Sequence, residues 1–251
     1  VDNVTVDPLV PTLTAFAFLT SALSGFTGLG GGTILIAVFF AMGLKPVEAV
    51  PLFAAVQLVS NTSRTVAYVA HVQWRGAGWF ALVAVPATFL LAPFAAGVDV
   101  DLVRLILAGL ILVSLLPTRD GAAPFPPRAS FIVAGLLNGG LGMFVGATGP
   151  FTGRLFLRPE WSRETTIATL AFTQVLGHGL RVLAYGAVGY SAFARPELLL
   201  PLCVAAVLGT GAGRLLNRYI SGERFTGLFK AILLLLSVKL VYDSSRGFGW
   251  I

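Results

Sequence analysis

Residues 80–96 and 198–213 contain no charged side chain at all. They belong to a series of apolar segments at about 9–24, 34–43, 48–70, 76–97, 101–117, 129–145, 150–157, 163–186, 195–214 and 225–242. A stretch of about 20 apolar residues is long enough to cross the hydrocarbon layer as a helix. Only 11% of the chain is charged and 56% is hydrophobic, where soluble domains carry about a quarter charged residues. Too little charge is present to cover a water-facing surface, and the mean hydropathy is +0.87. The pattern predicts an all-α polytopic membrane protein of about ten helical segments, with the lipid bilayer as its first partner.

The net charge of +6 fits Lys and Arg gathered in cytoplasmic loops. A nucleic-acid partner is not expected, because no basic tract with interleaved aromatics occurs. Cys203 is the single cysteine, so an internal disulfide and a thiolate metal cluster are both excluded. Residues 1–8 lack a basic leader, and no cleavable signal peptide is expected. No cofactor or metal site is expected, and self-association is left open.

The chain repeats itself. Residues 57–68 read QLVSNTSRTVAY and residues 174–185 read QVLGHGLRVLAY, with Gln, Arg, Ala and Tyr at the same spacing. Upstream of each block lies a glycine-rich break, GFTGLGGGT at 25–33 and GGLGMFVGATGP at 139–150. The duplication predicts a first repeat over 9–117, a linker over 118–128 and a second repeat over 129–242. The boundary region 117–128 holds four prolines and three charges. Internal repeats of this kind build many secondary transporters.

If each broken segment is a hairpin entering and leaving on one face, each half adds three full crossings. An odd number inverts the second repeat. With the N-terminus outside, Arg75, Arg119, Arg128, Arg154, Arg158, Arg163, Arg214, Arg218 and Arg224 fall inside, while Lys45, Arg195 and Arg246 fall outside and Arg104 lies near the outer end of its helix. Counting each broken pair as one crossing strands a basic cluster outside. The positive-inside rule therefore favours two inverted repeats.

Three groups of residues could carry chemistry. Broken backbone at membrane depth is tolerated where it lines a cavity, which singles out Gly30, Gly31, Gly32 and Thr33 in the first break and Gly149 in the second. Helix ends there would offer free N–H donors to an anion. Close helix packing is the competing account of such glycines. In segment 48–70, Gln57, Asn61 and Arg64 share one face, with Ser60 beside them. In segment 163–186, Gln174, His178 and Arg181 repeat that spacing. The eleven acidic residues lie near segment ends or in loops. Two intramembrane arginines without carboxylates imply that the negative charge arrives as the solute; snorkelling to an interface is the alternative. His178 is open to two readings, a proton-linked switch or a neutral hydrogen-bonding member of the site.

These residues resemble the sulfite exporter TauE/SafE-like permeases. The likeness rests on GLGGGT, on Gly43-Leu44-Lys45-Pro46-x-x-Ala49, on SNTSR, and on Tyr68-x-x-His71-Val72-Gln73-Trp74-Arg75. GATGPF and the Arg181/Tyr185 block add to it in the second half. The resemblance implies a secondary transporter exporting a small sulfur-containing anion, such as sulfite, sulfoacetate or a related organosulfonate, from a bacterial inner membrane. A permease for another metabolite or drug, and a non-transporting scaffold, are the alternatives. An enzyme is not expected, since neither HExxH nor GxSxG nor an intramembrane carboxylate pair occurs. ATP drive is not expected either, for want of a GxxxxGK[ST] loop.

Overall fold

The computed structural model describes residues 9–27, 31–116, 123–216 and 222–251, and among them every regular element is helical. The first half contains α1 (Leu9–Thr27), α2 (Gly31–Ala41), α3 (Pro46–Ala67), α4 (Trp74–Leu91) and α5 (Val100–Leu115). The second begins with α6 (Pro127–Leu136), which passes through a π turn (Leu137–Leu141) into α7 (Gly142–Val145). It continues with α8 (Gly149–Leu155), α9 (Arg163–Ala187), α10 (Pro196–Leu216) and α11 (Gly222–Gly247). With α6 and α7 taken as one run, these are the expected segments. Gly28, Leu29 and Gly30 of the first break, and most of the linker, lie outside the described residues.

Local chemistry sets the helix starts. Pro46 occupies the first turn of α3, and Glu48 accepts from the Lys45 N–H at 3.3 Å. Asp99 caps α5 and Ser162 caps α9 through their side-chain oxygens. Four described runs are long and apolar enough to cross a membrane: Trp74–Gly97, Pro127–Val145, Arg163–Ala187 and Pro196–Gly213. Their outward faces are exposed and apolar, with Leu82, Leu90, Leu136, Leu183, Leu200 and Leu208 among them. In water such a surface would drive aggregation, whereas lipid accepts it. Hydroxyls at depth bond back to their own helix, as Thr20 does to Phe16, Thr210 to Ala206 and Ser237 to Leu233. The molecule is an all-α polytopic membrane protein.

Helix pairing is the same when the two halves are exchanged. α1 packs on α10 as α6 packs on α4, and α3 meets α10 as α9 meets α4. α3 pairs with α9, and α5 with α11. The α3–α9 pair is antiparallel: Phe53 touches His178, while the Gln73 N–H at the far end of α3 bonds Thr169 Oγ1. The α5–α11 pair is antiparallel too, since Ser244 near the end of α11 bonds the Asp101 carbonyl at the start of α5. Glycines let two of these pairs approach closely. A Cβ at Gly209 or Gly213 would strike the Phe18 or Ala22 carbonyl of α1, and one at Gly135 or Gly139 would strike the Phe80 or Ala84 carbonyl of α4.

Basic side chains collect at one end of the bundle. Arg128 lies over the Trp79 ring, Arg154 bonds the Ser114 and Leu116 carbonyls, and Arg158 bonds Phe125 O and Ser130. Arg75 and Arg163 begin α4 and α9 at that end. At the other end Arg195 shares a pocket with Leu44 and Glu48, which flank Lys45 at the start of α3, and Ser244 near Arg246 bonds the start of α5.

Candidate functional site

The cleft between α2, α3, α8 and α9 is built where the two broken segments meet the two duplicated helices. It has a volume of about 50 Å³, room for a few waters or one small ion and far below the several hundred Å³ of drug-sized pockets. Gly32, Thr33, Gln57, Asn61, Arg64, Gly149, Gln174 and His178 line it. Among the described residues no carboxylate does. Ser24, Phe53, Ala147, Ile167, Leu170 and Ala171 complete the wall.

The cleft has a direction. Arg64 and Ile167 are half-buried at the end where the basic residues collect, while Phe53 and His178 are buried at the opposite end. Beyond them Tyr185, fully buried, donates to the Met143 carbonyl at 2.6 Å and ties α9 to α7. The cleft is thus closed on the side away from the basic end.

Each glutamine leans on the short helix of its own half. The Gln57 amide lies against Gly32, so close that a Cβ there would stand 3.0–3.1 Å from it. Gln174 Nε2 donates to Thr152 Oγ1 of α8 at 3.2 Å. Asn61 Nδ2 donates to the Gln57 carbonyl at 2.9 Å. Thr33 Oγ1, in the first turn of α2, is buried and makes no hydrogen bond among the described residues. A buried hydroxyl without a partner costs free energy, so it marks a place where a ligand or water would be welcome.

The remaining sequence candidates lie elsewhere. Gly31 packs α2 onto Thr20 and Ser24 of α1 and does not line the cleft. Ser60 is buried and does not line the cleft, and Gly30 lies outside the described residues. Arg181 is fully buried behind His178, with Asn138 of the π turn as its partner. Asn138 also donates to Thr148 Oγ1 at 3.4 Å, and Thr152 donates to the Thr148 carbonyl at 3.1 Å. Asn138, Thr148 and Thr152 were missed from sequence. Asn138 carried a signal, as a lone amide in an apolar segment just before a glycine-rich break. Thr148 lay within the second glycine-rich break, and Thr152 carried no signal.

A family model for the sulfite exporter TauE/SafE matches residues 13–240, nearly the whole chain. The chain belongs to the sulfite exporter TauE/SafE family. That is a family of membrane transporters rather than enzymes, and this member is an integral membrane protein. No curated protein and no solved structure matches it.

Proposed function

We propose that this chain exports a small sulfur-containing anion, such as sulfite, sulfoacetate or a related organosulfonate, by alternating access across a bacterial inner membrane. The reading rests above all on the lining of the cleft. Amide, imidazole and guanidinium donors converge there with the N-terminal turn of an eleven-residue helix, and the described lining residues include no carboxylate. An oxyanion offers acceptors on every side and suits such a set.

We further infer that the halves, 9–117 and 129–242, are inverted repeats. Equivalent helices α3 and α9 run antiparallel, which supports this, and so does the gathering of arginines at one end. In this arrangement the cleft opens toward the cytoplasm past Arg64. Opening the other way would require α9 to part from the α7 turn at Tyr185. The cleft's small volume argues against a drug-sized substrate.

Thermal unfolding of the purified protein tests the reading. A ligand at about 100 times its Kd stabilises by about 2.7 kcal/mol, so sulfite or sulfoacetate raises the melting temperature by several degrees, and an uncharged amide of the same size does not. Equal shifts with charged and neutral compounds would favour the neutral-metabolite alternative.

A further inference from the structure

Arg64 and Arg181 hold matching positions in the duplicated block, yet their surroundings differ. Arg64 is half-buried in the cleft wall. Arg181 is fully buried, and its guanidinium meets His178 Nδ1 at 2.9 Å, the Asn138 carbonyl at 2.9 Å and Asn138 Oδ1 at 2.8 Å. A guanidinium has donors and no acceptor. All three partners must therefore accept, and Nδ1 of His178 is unprotonated. An imidazolium donates from both nitrogens, so this contact calls for a neutral ring with its proton on Nε2.

The sequence builds this contact deliberately. The π turn Leu137–Leu141 widens α6, with the Gly142 N–H bonding back to the Leu137 carbonyl. That turn presents both Asn138 acceptors to one guanidinium nitrogen. Two glycines make the space: a Cβ at Gly142 would strike the Arg181 guanidinium, and one at Gly177 would strike Asn138 Oδ1. The first half differs in sequence at these positions. There Ser21 stands at the place of Asn138 and Asn61 at the place of His178.

Among the described residues, the groups facing His178 add no acid. Phe53 from α3 meets the ring edge-on, Arg64 from α3 lines the same cleft, and Arg181 adjoins it on α9. A proton added to His178 would be a further positive charge with no carboxylate among the described lining residues to balance it.

We propose that Asn138 and Arg181 are positioning residues which hold His178 as a neutral Nε2–H donor for the anion in the cleft. The proposal rests on the anion-binding reading of the cleft. It assigns the second intramembrane arginine to orienting a histidine, rather than to meeting the solute, and it removes His178 as a proton carrier.

The chain has two histidines, and His71 is exposed at the end of a short turn after α3. In a His71→Asn background, nitrogen-15 labelling of histidine therefore reports His178 alone. The imidazole nitrogen shifts, followed from about pH 5.5 to about pH 8 across the usual histidine range, should show one neutral Nε2–H tautomer throughout. Asn138→Ala and Arg181→Lys should release the ring, so that both tautomers are populated and the ring protonates as pH falls. Sulfoacetate flux in proteoliposomes should fall about tenfold in each, the worth of one well-oriented hydrogen bond. An Nδ1–H tautomer or an imidazolium in the parent protein overturns the proposal. So does an unchanged histidine spectrum in both variants, even with flux reduced. Circular dichroism and gel filtration identify a variant that fails to fold, and Asn138→Ala then stands for the pair. A parent protein that shows the Nε2–H tautomer but carries no anion would contradict the transport reading and not the tautomer.

Discussion

Phe53 of α3 and His178 of α9 meet edge-on, their ring centroids 5.4 Å apart and their planes at 79°. This contact joins the two halves of the chain and closes the deep end of the cleft. Phe53 is 1% exposed, so truncation leaves a void at the junction. Phe53→Ala should cost about 3 kcal/mol of stability, read as a lower melting temperature in detergent. The same variant should accept bulkier sulfonates as competitors, and unchanged selectivity would show that the contact does not bound the site.

Arg64 is the cation at the mouth of the cleft. A charge-assisted hydrogen bond contributes about 1.5–3 kcal/mol, so Arg64→Gln should raise the KM for anion flux at least about tenfold. Arg64→Lys should recover part of this, since it keeps the charge and loses the planar fork. Added salt should weaken the parent protein more than the glutamine variant. Equal KM values in parent and Arg64→Gln would assign this arginine to the interface instead.

The α1–α10 seam is set by close approach. Gly213→Leu places a side chain against the Ala22 carbonyl and should abolish monodisperse expression. Gly211 in the same helix faces open space. Gly211→Ala should be neutral or stabilising by up to about 1 kcal/mol, since alanine is the better helix former. Equal damage from both would mean the seam is not where α10 docks.

Inversion makes a prediction about sides. In a Cys203→Ser background, cysteines replacing Lys45, Arg195 or Arg246 should react with an impermeant maleimide from outside the cell. Cysteines replacing Arg75 or Arg158 should react only after the membrane is opened. Lys45 and Arg75 flank α3, so labelling of both from one side would refute the crossing.

Much of this was legible in the sequence. The segment pattern placed the helices because lipid demands long, charge-free runs, and the repeated Gln, Arg and Tyr placed α3 and α9 together. Gln57, Asn61, Gln174 and His178 share a cleft because their spacing puts them on one face of a helix. The same periodicity could not separate Arg64 from Arg181, which sit in matching registers. Their difference comes from the π turn at Asn138, and an extra residue per turn leaves no periodic trace. Ser60 shows the same limit on a smaller scale: it is buried one position away from the lining.

Flux through the reconstituted protein tests the central claim most directly. In proteoliposomes with a negative interior, the parent protein should release sulfite or sulfoacetate saturably, faster than protein-free vesicles. Gln57→Ala and Gln174→Ala should each slow it at least about tenfold, because each removes an amide donor from a buried site. Release no faster than from empty vesicles for these anions, or parental rates in both glutamine variants, would contradict the account.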